Sequence, residues 1–310
     1  MLTLSIAAVE RDTGLSKDTL RVWERRYGFP QPARDTQGER AYPIDQVERL
    51  RLIKRLLDAG HRPGRVVGMD LPALARLGDT LALRPAQRPA LDEAAISAYL
   101  GTLRSHDLPP LRQRLQRDLL QLGVQRFLLE LLTPLNAAVG EAWLQGRLEI
   151  FEEHAYTETA QVVLRQAIAA LPPPPPDAAP RVLLGTITGE PHGLGLLMAE
   201  ALLGLLGAAC VPLGVQTPVW DVVRAAGAYR CDIVGLGFTG CMPPTQIEGA
   251  LRELRAKLPP PVAVWAGGSA PVLQRRRIDG VLPLPTLADL PPALARWREA
   301  ARRRPLAAPV

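Results

Sequence analysis

The sequence predicts a multidomain protein: a small helix-turn-helix unit, an all-helical region and an α/β domain built on a parallel sheet. Three observations lead there. An Arg-rich opening carries two short helical patterns around a glycine turn. Residues 92–171 repeat leucines at helical spacing. Beyond a run of five prolines, residues 172–176, short apolar runs alternate with helical stretches. A chain of 310 residues has room for two or three domains.

Composition narrows the class. Hydrophobic residues at 47% and charged residues at 22% exclude a wholly disordered chain. The formal charge of +6 permits an anionic partner without proving one, so the placement of charge matters more than its sum. Three cysteines (Cys210, Cys231, Cys241) are an odd number at no metal-ligand spacing. They argue for a reduced, cytoplasmic protein and read as buried small hydrophobes on or near strands. No signal-peptide layout opens the chain, and no apolar run of about 20 residues is free of charge or proline. Secretion and membrane contact are therefore not expected.

In residues 1–70, Ser5 caps a first helix, Gly14 turns the chain, and Ser16 caps a second helix carrying Lys17, Thr19, Arg21, Trp23 and Arg25. Two short helices about such a turn, with basic groups on the second, form a helix-turn-helix pattern. A basic loop with Arg34, Gly38, Arg40 and Tyr42 follows, then a helix with Val47, Leu50, Ile53 and Leu57 on one face. Trp23 reads as the core plug of this unit rather than a base stacker. Arg25 and Arg26 are either phosphate contacts or solvated charge.

The string RVWERRYGFPQPARDTQGERAYP resembles the DNA-binding domain of the MerR superfamily, a winged helix-turn-helix. The resemblance implies a recognition helix in the major groove and a wing on the phosphates. By position it puts Lys17, Thr19, Arg21 and Arg25 on the helix and Arg40 and Tyr42 on the wing. Guanidinium groups on helix and wing suit that role, because phosphate attraction dominates affinity for DNA. A reader this small binds tightly only as a dimer on a two-fold-related operator, so self-association, as dimer or tetramer, is expected.

Residues 71–91 read as a connector, 92–171 as a helical domain, 172–180 as a stiff Pro-rich linker and 304–310 as a tail. In residues 181–303, RVLLGTI (181–187), AACVPLG (208–214), CDIVGLGF (231–238) and PVAVWAGG (261–268) read as strands of a parallel sheet covered on both faces. A fifth strand is expected near Ile278 to Leu282. The helix pattern from Leu287 to Arg302 has a basic face that reads as solvated. Ligands of such sheets collect at the carboxyl ends of strands, where the first strand–helix loop carries Glu190 and His192. By residue type, that histidine is either a surface group or a ligand.

Spacing adds a second resemblance. Glu190-x-His192-x-x-Gly195, then 41 residues, Gly237-Phe238-Thr239, then 27 residues and Gly267-Gly268 is similar to the cobalamin-binding signature of methionine-synthase and mutase type domains. It implies a flavodoxin-like, Rossmann-like domain in which His192 ligates cobalt from the lower face and Glu190 fixes the ring's tautomer. Gly267 and Gly268 would leave backbone free for the nucleotide tail. Glu190 replaces the usual Asp. Gly237 replaces a Ser that contacts the displaced base, with Thr239 as its substitute.

Trp143, nine residues, then Glu153-His154 resembles the signature of the adenosylcobalamin-dependent photoreceptor repressors of the CarH and LitR type. There a four-helix bundle lies over the upper face of adenosylcobalamin. The resemblance implies that Trp143 packs on the adenosyl group with Glu153 and His154 nearby. Glu153 lies ten positions after Trp143, so the two must come from two helices or from one broken around Gly146. Leu144 stands where founding members carry a histidine that takes the upper cobalt position after illumination.

The resemblances together imply a light-responsive transcriptional repressor, not an enzyme, that binds operator DNA with adenosylcobalamin and releases it on photolysis. Two alternatives stay open. One is a MerR-type regulator with a vestigial cobalamin site or another chromophore. The other is a corrinoid module of a methyltransferase or mutase, in which the N-terminal unit would have no purpose.

Overall fold

The computed structural model describes residues 3–35, 38–58, 61–74, 77, 93–174 and 179–303. The chain divides into two compact units, one of residues 1–87 with 138–150 and the other of 88–137 with 151–310. The helical region expected over 92–171 is shared between these two units. Most of the connector, residues 175–178 of the linker and the whole tail lie outside the described residues.

The first unit opens with strand β1 (Thr3–Ser5) and helices α1 (Ile6–Thr13) and α2 (Lys17–Tyr27). Ser5 accepts from the Ala8 N–H and Ser16 from the Thr19 N–H, satisfying donors that each helix start leaves open. Gly14 (φ 69°) ends α1 in the left-handed conformation, where a side chain would cost energy. Strands β2 (Ala33–Arg34) and β3 (Arg40–Pro43) form the wing, and β3 sits between β1 and β2 in an antiparallel sheet. The strand at β1 was not legible beforehand. Helix α3 (Ile44–Asp58) and a short α4 (Pro63–Val66) close a core of Val9, Leu20, Trp23, Tyr42, Leu50 and Ile53.

The helical region contains α5 (Glu93–Arg104), α6 (Leu108–Arg126), a π-helical stretch (Phe127–Leu132), α7 (Thr133–Leu144) and α8 (Ile150–Ala169). Gly123 (φ 71°, ψ 163°) interrupts α6, and the chain beyond it runs on through the π-helical stretch into α7, so four helical segments result. Gly146 (φ 72°) lies in the turn after α7. Trp143 and Glu153 accordingly come from two helices, as their spacing required. Within the second unit, Asn136 donates to the Met198 sulfur at 3.2 Å, joining the helices to the α/β part.

The α/β part has five parallel strands: β4 (Arg181–Ile187), β5 (Ala209–Thr217), β6 (Ile233–Gly237), β7 (Ala263–Gly267) and β8 (Val281–Leu284). Their order is β5-β4-β6-β7-β8. Helices α9 (Leu194–Leu205) and α13 (Leu290–Arg302) pack together. On the other face, α10 (Val219–Ala228), α11 (Pro244–Lys257) and α12 (Pro271–Arg275) share the core of Leu183, Val234, Leu236 and Val264. The strand order reverses between β4 and β6, which opens a crevice at their carboxyl ends.

Candidate functional site

The crevice between β4 and β6 brings together residues distant in sequence. Glu190 sits on the loop after β4 and is wholly buried. Thr186, at the end of that strand, donates its hydroxyl to the Glu190 carbonyl and accepts from the Gln216 N–H at 2.8 Å. The loop's backbone is thereby fixed to the sheet. From the loop after β6, Thr239 donates its N–H to Glu190 Oε2 at 2.7 Å and its hydroxyl to the same carboxylate at 3.0 Å. The carboxylate in turn holds His192 Nδ1 at 2.6 Å.

These contacts decide the charge state. Burial pushes the Glu190 carboxyl up, but the hydrogen bonds from His192 and the Thr239 N–H outweigh it and hold the group below its ordinary range. The partners Cys241 and Glu190 raise His192 to about 10. The imidazole side chain is 54% exposed while its carboxylate partner is 0% exposed. One ring nitrogen is therefore tied down and the ring faces outward. That donor set fits an axial metal ligand, whose orientation is ordinarily set by a hydrogen bond to the other nitrogen. Gly195, in the first turn of α9, has no atom within 4 Å of where a Cβ would stand.

The glycines have different causes. A Cβ on Gly237 would meet Leu196 Cδ2 at 3.3 Å and Thr186 Cγ2 at 3.6 Å, so a hydrophobic neighbour takes the room a serine would need. Gly268 (φ 110°) is required by the fold itself, since a Cβ there would lie 2.1 Å from the Phe238 carbonyl oxygen. Gly267 tolerates a Cβ at 3.4 Å from the Leu284 carbonyl.

Cys241 corrects the reading of all three cysteines as buried small hydrophobes. Its side chain is only half-buried, and its thiol reaches Glu190 Oε2 at 3.3 Å. The available signal was its position two residues after Thr239. Cys231 is buried as expected.

Trp143 belongs to the first unit, Glu153 and His154 to the second. Glu153 accepts from His154 Nδ1 at 2.8 Å and from the Thr157 hydroxyl at 2.7 Å, and the His154 ring is exposed.

On α2, Arg21 and Arg25 are exposed, and Lys17 and Thr19 are partly buried. Arg21 pairs with Asp18 at 3.1 Å and Lys17 with Glu10 at 3.7 Å. Arg40 on the wing is held by Glu24 of α2 at 2.9 Å, and this bond raises its already high pKa. The wing role expected of Tyr42 is not seen. The ring is fully buried, its hydroxyl has no partner among the described residues, and burial pushes its pKa up. A phosphate has no path to it. Trp23 is buried, as the core reading required.

Residues 4–69 match the MerR HTH family regulatory proteins and residues 91–168 match the B12 binding domain family. The chain is 32% identical to the HTH-type transcriptional repressor CarH of Myxococcus xanthus, over 83% of this chain and 86% of that one. It is 31% identical to the repressor CarA of the same organism, over 86% and 88%. The monomethylamine corrinoid protein of Methanosarcina barkeri shares the fold of its second part, with a TM-score of 0.50 at 17% identity over 64% of this chain and 96% of that one.

Proposed function

Because the chain belongs to the family of MerR-type HTH transcriptional repressors that includes CarH and CarA, we propose that it is a light-responsive repressor whose grip on its operator depends on adenosylcobalamin. Membership makes it a DNA-binding, B12-binding regulator and not an enzyme. The observation that carries the cofactor reading is the pair formed by a buried Glu190 and an outward His192 at 2.6 Å. Glu190 holds the proton at Nδ1, and cobalt would take Nε2 in place of the proton there.

When bound, adenosylcobalamin would supply a light-sensitive cobalt–carbon bond. Thr239 keeps Glu190 ionised and aimed, while Gly195, Gly237, Gly267 and Gly268 line the approach. Glu153 and His154 would serve the adenosyl side. Leu144 has no donor atom, so the residue after Trp143 cannot ligate the metal. On DNA, Arg21 and Arg25 meet the major groove and its phosphates, with Lys17, Thr19 and Arg40 supporting. Two readers act together in a homo-oligomer on a two-fold operator. The cofactor shifts this assembly only by binding one arrangement better than another.

A gel-shift titration with and without adenosylcobalamin, in darkness and under green light, tests the scheme. The expected result is tight binding in the dark with cofactor and weaker binding in the other three conditions. Equal affinity in all four defeats it.

A further inference from the structure

The cluster around Glu190 contains more than an axial ligand and its support. Cys241 places a thiol against the carboxylate that orients His192. The donor atoms of Glu190, His192 and Cys241 all lie within 4.8 Å of one another. The nearest pairs are 2.6 Å for Nδ1 to Oε1 and 3.3 Å for Sγ to Oε2. A tetrahedral zinc ion, with bonds of about 2.0–2.3 Å, holds its ligands roughly 3.4–3.8 Å apart. Nδ1 and Oε1 would move apart to reach that spacing, and Sγ and Oε2 already stand near it. The set is one imidazole, one thiolate and one carboxylate, with a fourth position left for water. Borderline-soft ions prefer such a mixture, and magnesium and calcium do not.

We propose that Glu190, His192 and Cys241 form a site for one thiophilic divalent ion of the zinc class in the chain that lacks its corrinoid. Coordination replaces the thiol proton of Cys241, which leaves to solvent. The ion also takes Nδ1 of His192, whose proton likewise leaves to solvent, and so removes the hydrogen bond that aims the ring. The same imidazole cannot then serve a corrinoid in its oriented form, and the two ligands compete. The competition rests on the corrinoid reading above; the metal site does not.

The test uses the untagged, full-length apo chain and cobalt(II) as a spectroscopic stand-in for zinc. Binding should give one ion per chain, with a thiolate-to-cobalt charge-transfer band that zinc abolishes. Cys241→Ala, checked for native circular dichroism, should lose the band and bind about tenfold or more weakly. In the wild type, zinc should protect Cys241 from alkylation, located by mass spectrometry, while Cys210, which resists alkylation in the native chain, is unchanged by zinc. Absence of the band at stoichiometric cobalt, its survival in Cys241→Ala, or unprotected Cys241 overturns the proposal. Saturating zinc should also slow hydroxocobalamin uptake, and unchanged uptake overturns the competition. If hydroxocobalamin binds under no condition, the corrinoid reading falls, while the charge-transfer band still decides the metal site.

Discussion

The carbonyl oxygen of Phe238 occupies the place where a side chain on Gly268 would begin, 2.1 Å from the Cβ position. The same oxygen accepts from the Ala270 N–H at 3.3 Å, so it cannot turn away without losing a bond. Gly268→Ala should therefore cost about 3 kcal/mol or more, through overpacking and a strained φ together. Gly267→Ala should cost under about 1 kcal/mol, because its Cβ would meet only an ordinary contact. Urea unfolding followed by fluorescence of the buried Trp265 on β7 separates the two, and equal midpoints would contradict the assignment.

Removing the hydroxyl of Thr239 should loosen the ring it positions indirectly. Thr239→Val keeps the N–H bond to Glu190 and deletes only the hydroxyl bonds, so cobalamin retention should fall toward the low end of about 10–100-fold. Glu190→Gln should fall further. His192→Ala should abolish retention. Equilibrium dialysis against hydroxocobalamin gives the order, and a Thr239→Val effect larger than that of His192→Ala would refute it.

Tyr42 gives a test inside the reader. Its buried hydroxyl lacks a partner among the described residues, so Tyr42→Phe should leave DNA affinity unchanged and stabilise by up to about 1 kcal/mol. Trp23→Ala should destabilise the unit by about 3–5 kcal/mol, as loss of a core aromatic does. Arg21→Ala should weaken binding evenly across sequences if it touches phosphate, and reduce the salt slope by about 1. Thermal melts and a salt series of fluorescence anisotropy measure these effects.

Burial pushes the Cys210 thiol up to about 12. An acid raised in the folded state stabilises the protein below its unfolded value, about 8.5 for a thiol, and that contribution is lost as pH climbs toward the folded value. Cys210→Ala should therefore show less alkaline destabilisation over that window than the wild type. The native thiol should also resist iodoacetamide near neutral pH and react once urea exposes it, while Cys241 reacts in the native chain.

The strands were read best where both faces are buried. RVLLGTI coincides with β4, because an unbroken apolar run bounded by a proline and a glycine loop has few other uses. The edge strand was placed about three residues early, since Ile278 turned out to be a buried loop residue ahead of β8. The pairing of Glu190 with His192 was legible because both lie on one loop. Cys241 was not, because its approach to Glu190 depends on β4 and β6 being neighbours, which periodicity does not encode. Leu196 beside Gly237 was hidden for the same reason. Tyr42 was misplaced because its position in a wing says nothing about which way its ring turns. Residues 138–150 show helical spacing, but spacing does not reveal which core a helix completes, and they group with the N-terminal unit.

The loops bearing Glu190 and Thr239 spring from two laterally bonded central strands, and the Glu190 carboxylate is tied to the backbone N–H and the hydroxyl of Thr239. Parting the two loops would break those bonds. The floor they make is stiff, and whatever meets the imidazole above it meets a fixed support.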